Sequence, residues 1–238
     1  MERNYIKTLV ITLMTTALIG CGSGGGGGKG KGGGGGDDGQ ADALVDAAIA
    51  SEKSILTQEL QDSITYMYSE EKLAKEIYLN LYAVQAVKQL NNIATKSEVK
   101  HVDAVDRLAV KYDLNTTLYP DTTTPYDANT LNSFSNGKFP VVAIQELYDR
   151  LYEKGIQSEK DALEVGCMVE VVDVNDLNKY ITQATDSNAS DVLSIFDFLR
   201  KGSYNHYWAF NKGLTKQGIA DGCCSLGSEY CHPEYPQK

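Results

Sequence analysis

The stretch that decides the fold is Ala94-Thr95-Lys96-Ser97-Glu98-Val99-Lys100-His101-Val102-Asp103-Ala104-Val105 (residues 94–105). Ala94, Glu98, His101 and Val105 follow one another at spacings of four, three and four, on a seam that is apolar before and after the two polar residues, which predicts a helix with one buried face. Glu98 and His101 lie on that face, one helical turn apart. Burying such groups costs several kcal/mol each unless they are paired or bind a metal. The stretch therefore predicts a core helix that carries metal-binding residue types.

The same pattern recurs on either side of this stretch. We expect helices over about residues 57–86, 90–112, 158–182 and 190–212, each with an apolar seam that a polar residue interrupts near its middle. Thr57 and Ser158 are predicted to begin their helices, and Asp186-Ser187-Asn188 is predicted to be a turn. The fold class predicted is all-α: a four-helix bundle with a long crossover between the second and third helices. The crossover contains a loop (Asn115 to Phe139) and a short extra helix from Pro140 to Lys154-Gly155.

Length and composition limit the function of the bundle. The chain has 238 residues, 42% of them hydrophobic, so it is long enough to bury a core. Its formal net charge is −10, whereas a nucleic-acid backbone requires clustered Lys and Arg. We therefore expect no nucleic-acid partner.

The segment that precedes the bundle indicates export. Residues 1–20 combine Arg3 and Lys7 with a short apolar run, which is typical of a signal peptide. The run ends in Leu18-Ile19-Gly20-Cys21, which resembles a bacterial lipobox with Cys21 as the lipidated residue; an ordinary secretory signal is the alternative. Residues 21–40 hold more than half of the 22 glycines and are predicted to be a flexible tether. We expect a protein that is lipid-anchored to the bacterial cell envelope, with the outer membrane favoured because Gly22 provides no obvious retention signal.

The remaining chain divides into a bundle domain, residues 41–213, and a cysteine-containing irregular tail, residues 214–238. An export context permits disulfides, and we expect at least one in the tail, from Cys223 or Cys224 to Cys231. A second metal site formed by these three cysteines and His232 is the alternative. Cys167 lies on a helical seam and is expected to be a buried free thiol.

The interruptions of the seams form one predicted metal site. If the four helices pack together, polar residues near their midpoints converge, and like charges require cations to balance them. Oxygen and imidazole ligands suit iron, manganese or zinc, of which iron is favoured, with one or two ions bound. No residue is predicted to be catalytic. Glu164 is expected to lie off the apolar seam of its helix. The predicted ligands are Glu71, Glu98, His101, Glu170 and His206, with Asp173 as an additional ligand.

These residues also carry a family resemblance. Two-metal bundle proteins use one Glu from each of two helices and Glu-x-x-His from each of the other two; Glu71, Glu170 and Glu98-Val99-Lys100-His101 resemble that pattern, which is typical of the ferritin-like superfamily. The chain is more closely similar to the domain of unknown function 2202 family. That resemblance rests on residues 70–74, 92–94, 161–166 and 202–206. One departure is Ser203, which stands where the two-metal pattern has a fourth carboxylate.

The resemblance implies a fold and a site more firmly than a reaction. We expect either a metal-dependent oxidoreductase, acting in metal oxidation or in reduction of oxygen or peroxide, or a non-catalytic metal-binding or interaction module on the envelope. A polar core without metal is the third hypothesis. Metal ions are the expected partners. The membrane is expected to be contacted only through the lipid anchor, and the sequence is compatible with a homodimer.

Overall fold

A computed structural model describes residues 37–116 and 137–237. The predicted signal peptide, Cys21, most of the predicted tether and most of the loop predicted from Asn115 to Phe139 lie outside these ranges. The described residues form helices and no strand, which confirms the all-α prediction. The α-helices are α1 (Asp37–Ala50), α2 (Gln58–Gln85), α3 (Lys88–Ile93), α4 (Val99–Lys111), α5 (Val142–Gly155), α6 (Glu159–Asp186) and α7 (Ser190–Lys216).

Four long units form the bundle. A π-helical segment, Ala94–Glu98, joins α3 to α4, so that the predicted second helix is one continuous unit with a widened turn in its middle. This unit packs against α2 and α7, and α6 also packs against α2 and α7, while α5 lies in the crossover against α2 and α6. The predicted helix boundaries at Thr57 and Ser158 are confirmed, because each side chain accepts a hydrogen bond from the backbone three residues on.

Three boundaries differ from the expectation. Helix α1 was not predicted and begins inside the segment assigned to the tether. Helix α6 continues to Asp186, and α7 continues through Gly213 to Lys216, although a glycine often ends a helix. A Cβ atom at Gly213 would lie 2.8 Å from Leu163 Cδ2, so this glycine allows a close approach between α7 and α6. Glycine at this position therefore serves packing between helices.

One disulfide joins the tail to the bundle, and a second closes a loop within the tail. Cys224 bonds to Cys231, one of the pairings expected from spacing, and Cys223 bonds to Cys167 of α6. The expectation of a free thiol at Cys167 is therefore wrong: this side chain faces the tail, whose position the seam does not encode. The alternative second metal site is also wrong, because all three tail cysteines are in disulfides. The described tail contains two short 3₁₀ helices, Gly222–Leu226 and Ser228–Tyr230.

The core is divided into two apolar clusters at different levels of the bundle. One contains Leu60, Met67, Val105 and Phe196, and the other contains Tyr78, among other residues of α2, α5, α6 and α7. Glu71, Glu98, His101, Ser203 and His206 lie between the two clusters in the chain order of their helices, and Glu170 lies near the end of the second cluster on α6. The polar interruptions of the seams thus form one layer, buried between two apolar regions. None of the described helices is long and apolar enough to span a bilayer.

Candidate metal centre

Glu98 is the central residue of the polar layer. It ends the π-helical segment and is 1% exposed. Its Oε2 lies 3.1 Å from Nδ1 of His101, and its Oε1 lies 2.9 Å from Nδ1 of His206. One carboxylate on the second bundle unit therefore reaches two imidazoles, one on its own helix and one on α7.

A second carboxylate faces each imidazole. Nδ1 of His101 lies 3.1 Å from Glu71 Oε2 on α2, and Nδ1 of His206 lies 3.4 Å from Glu170 Oε1 on α6. The two rings are stacked with their centroids 5.2 Å apart. The structure thus brings together five of the six predicted ligands in two equivalent halves, each with one imidazole and one carboxylate, which share Glu98.

Two features hold the imidazoles in place. Nε2 of His206 lies 2.7 Å from Ser97 Oγ, so Ser97 holds the ring with its Nδ1 toward Glu98. A Cβ atom at Gly202 would lie 2.2 Å from Nε2 of His101, so only glycine leaves room for this ring beside α7. Neither role was predicted from the sequence. The position of Ser97 depends on the π-helical turn, which the 3.6-residue periodicity does not reveal, and π-helical turns are frequent at functional sites.

Burial and charge act against each other in the site. Burial raises the pKa of Glu71 to about 7, although His101 opposes the increase. Burial disfavours the charged form of His206, but Glu98 and Glu170 outweigh this effect and raise its pKa to about 10. For Glu98 the two imidazoles outweigh the effect of burial and lower its pKa. Among the described residues, the positive charges that pair with these carboxylates are those of the two imidazolium ions.

Hydrogen bonding within the layer is incomplete. Glu71 Oε1, Glu98 Oε2 and His206 Nδ1 are buried and have no hydrogen-bond partner among the described residues. His206 Nδ1 is close to two carboxylate oxygens, but these contacts are not aligned as hydrogen bonds. Buried polar atoms are normally satisfied. Three unsatisfied atoms within one cluster of oxygen and imidazole donors therefore fit divalent metal binding. The potential ligand atoms of Glu98, His101 and His206 all lie within 4.8 Å of one another.

Asp173, the sixth predicted ligand, lies at the edge of the cluster. It is buried, and its Oδ2 accepts a hydrogen bond from Ser203 Oγ. Burial and the nearby carboxylates Glu71 and Glu170 raise its pKa well above the ordinary value. It makes no ion pair with either imidazole, so in the described site it is a buried carboxyl group bonded to Ser203.

Tyr78 also contacts the site. Its hydroxyl donates a 2.6 Å hydrogen bond to Glu170 Oε1. This contact orients the Glu170 carboxylate toward His206. Tyr78 lies on the apolar seam of α2, where a tyrosine is equally typical of a packing residue, so spacing along the chain does not predict this hydrogen bond.

The expected position of Glu164 on the solvated side of its helix is wrong. The seam placed it off the buried face, yet it is 4% exposed and pairs with Lys160 and, at 2.6 Å, with Lys154 at the end of α5. The crossover helix α5 covers this face of α6, and a four-helix pattern does not predict that cover. Glu164 is therefore a buried ion-pair residue and not a solvated one.

Comparisons with known proteins agree with this architecture. The family model described as "Uncharacterized protein domain (DUF2202)" matches residues 60–230. The chain is 39% identical over 166 residues to the uncharacterised protein MJ0754 of Methanocaldococcus jannaschii, a match that covers 70% of this chain and 80% of the relative. The crystal structure of the hypothetical protein MJ0754 is similar with a TM-score of 0.60 at 35% identity, covering 71% of this chain and 87% of that one. The chain therefore belongs to the DUF2202 family.

Proposed function

We propose that the bundle binds one or two transition-metal ions at the polar layer, iron in the first place, and acts as a metal-dependent oxidoreductase. The observation that supports this most directly is Glu98, whose two oxygens face two Nδ1 atoms within a buried cluster that leaves polar atoms unsatisfied. Bound iron would supply one-electron chemistry toward dioxygen, peroxide or ferrous iron itself.

The chain's own residues divide the work between two half-sites. Glu71 and His101 would hold one ion, Glu170 and His206 the other, and Glu98 would be shared. Three carboxylates leave one positive charge of two divalent ions uncompensated, and Asp173 could supply the fourth negative charge. Ser203 is small and bonded to Asp173, and a small oxidant would bind on this side of the site. A site with a single ion would use Glu98 and the two imidazoles.

Elemental analysis of the purified full chain, prepared without chelators, tests the proposal. We expect about one or two equivalents of metal per chain, with nearly complete loss in Glu98→Ala and in His101→Ala. Less than about a tenth of an equivalent in the wild-type chain, with no uptake from excess iron, manganese or zinc, would contradict it. A hydrogen-bonded polar core without metal would then be the better description.

A non-catalytic metal-binding module is the second candidate, because the same donor set could hold an ion without turnover. Metal content does not separate the two candidates. Turnover of hydrogen peroxide or of ferrous iron by the metal-loaded chain does, and its absence would favour the binding module. In either case we propose an exported lipoprotein, anchored through Cys21 by the lipobox Leu18-Ile19-Gly20-Cys21 and favouring the outer membrane.

A further inference from the structure

A groove of about 820 Å³ runs along the surface beside the metal centre. Helix α7 forms one wall, and α3 with the π-helical segment forms the other. Its inner end is His206 together with Ser97, whose hydroxyl lies 2.7 Å from Nε2 of His206. The groove therefore connects solvent to the outer edge of a predicted ligand. The residues that line the groove include Asn92, Ile93, Ser97, His206, Trp208 and Lys212.

The volume of the groove indicates the size of the molecule that it could bind. A metal ion, dioxygen or peroxide occupies a volume similar to that of a water molecule, roughly 30 Å³ in the liquid. Sites for small organic molecules have volumes of roughly 300–1,000 Å³. A volume of about 820 Å³ lies in the second class. The groove is thus much larger than access by a small oxidant requires.

Its chemistry changes along its length. Buried Ile93 and the half-buried Trp208 provide apolar contact surface in the middle. Lys212 lies beyond them, exposed, and forms no ion pair with any described residue, although the chain has 32 acidic residues against 22 basic ones. Lys212 is six residues beyond His206, which corresponds to about 9 Å along the helix. An apolar body followed by an unpaired cation matches an elongated molecule with a terminal anionic group.

We infer that this groove binds a small organic carboxylate about 9 Å long. Its carboxylate pairs with Lys212, its apolar body packs against Trp208 and Ile93, and its other end lies at Ser97 and His206. Asn92 at the rim offers an amide for further hydrogen bonds. That the groove binds such a molecule is inferred from the groove itself. That the molecule is a substrate rests on the proposed function, because only a metal ion held by His206 would act on the end of the molecule that lies there.

Binding in the groove can be followed through the fluorescence of Trp208, because it is the only tryptophan in the chain. We propose to titrate the full chain with 3-phenylpropionate and, as the neutral counterpart of the same shape, with 3-phenylpropanamide, while following tryptophan fluorescence. We expect a saturable change with the carboxylate and a weaker or absent one with the amide. Lys212→Ala should weaken binding about fivefold and Lys212→Glu more than about tenfold. Lys216→Ala, an exposed lysine on the same helix outside the groove, should bind like the wild type.

Two results would overturn the inference. One is a wild-type fluorescence that neither compound changes at millimolar concentration. The other is equal affinity for the acid and the amide, or equal affinity of the wild type and Lys212→Glu for the acid. Because all variants change an exposed side chain, we expect them to fold, and circular dichroism checks this before each titration.

The same titration in the presence of Co²⁺ separates this inference from the proposed function. If the chain binds Co²⁺ and the carboxylate changes the visible spectrum of the bound Co²⁺, the groove and the metal centre communicate as inferred. If Co²⁺ binds but the carboxylate does not change the fluorescence of Trp208, the inference about the groove is wrong and the proposed metal site is retained. If Co²⁺ does not bind but the carboxylate does, the proposed function is wrong and the groove remains a binding site.

Discussion

Glu98 has contacts that no other carboxylate of the layer has, because it reaches both imidazoles. A ligand that binds only the folded chain stabilises it, by about 2.7 kcal/mol at a hundred times its Kd. We therefore expect iron, manganese or zinc to raise the melting temperature of the wild type and to leave that of Glu98→Ala unchanged. Asp106→Ala, which removes an exposed carboxylate from the same helix, is the control and should respond to metal like the wild type. An equal metal-induced shift in Glu98→Ala would contradict the shared-ligand role.

A substitution at Gly202 tests whether His101 is a metal ligand. A methyl group in its place would overlap the imidazole of His101, which is confined between Glu71, Glu98 and Phe198. We expect Gly202→Ala to cost about 1–3 kcal/mol of stability and to reduce metal content. The measurements are thermal unfolding and elemental analysis. Gly39→Ala is the control, because no atom lies within 4 Å of a Cβ placed there, and it should be neutral or slightly stabilising in helix α1. Unchanged metal content in Gly202→Ala would show that His101 is not a ligand.

At the level of helices, Asp191 connects three separate segments of the chain. The fully buried carboxylate pairs with Lys111 of α4 at 2.6 Å and accepts hydrogen bonds from Tyr112 and, at 2.7 Å, from Ser54. It also lies in the first turn of α7, where the helix dipole favours a negative charge. Burial would raise the pKa of Asp191, but these hydrogen bonds outweigh it and lower the pKa from 3.8 to about 2.

The lowered pKa of Asp191 predicts how stability depends on pH. A carboxylate with a lowered pKa in the folded state stabilises that state above its unfolded pKa, and this contribution is lost as the pH falls through the folded pKa. We expect Asp191 to contribute about 2 kcal/mol above pH 4 and to lose this contribution toward pH 2. The measurement is the difference in unfolding free energy between the wild type and Asp191→Asn, which should be constant above pH 4 and decrease below it. Asp113→Asn, which removes the exposed partner of Lys53, should show a difference near zero at every pH. A wild-type minus Asp191→Asn difference that does not change between pH 4 and pH 2 would contradict the prediction.

For the whole molecule, one disulfide attaches the tail to the bundle and the other closes a short loop within the tail. Cys167–Cys223 spans 56 residues, whereas Cys224–Cys231 spans 7. A longer loop loses more unfolded-state entropy when it is closed, so we expect the double variant Cys167→Ser/Cys223→Ser to lose about 4 kcal/mol and Cys224→Ser/Cys231→Ser about 2 kcal/mol. Unfolding by denaturant measures both, and mass spectrometry without reduction checks the pairing. Four freely alkylated thiols in the purified chain would contradict it.

The anchoring of the molecule is predicted from its first residues. Because Cys21 follows the lipobox Leu18-Ile19-Gly20, we expect signal peptidase II to remove residues 1–20 and the mature chain to carry lipid on Cys21. In cells, Cys21→Ala should leave an unprocessed precursor of higher mass that metabolic labelling with a fatty acid does not detect. Cys224→Ala is a suitable control, because it removes a different cysteine and leaves the lipobox intact. Normal processing of Cys21→Ala would contradict the lipoprotein proposal and would favour an ordinary secretory signal.

The sequence by itself determined the four long helical units of the bundle and the layer of polar residues, since both depend on spacing along one chain. Glu71, Glu98, His101, Glu170 and His206 interrupt apolar seams, and a seam must face the core in any bundle of these helices. Asn188 marks the turn between α6 and α7, where it takes a positive φ of 52°. These features are local, and the hydrophobic periodicity carries them.

Only the tertiary structure decided how residues distant in the chain meet. The sharing of Glu98 between two imidazoles depends on the π-helical turn and on the packing of α7 against α4, neither of which leaves a periodic signal. The pairing of Cys167 with Cys223 and the burial of Glu164 by α5 depend on where the tail and the crossover lie. The energy that selects these contacts comes from covering the remaining apolar surface of the bundle, and that surface exists only after the helices have packed.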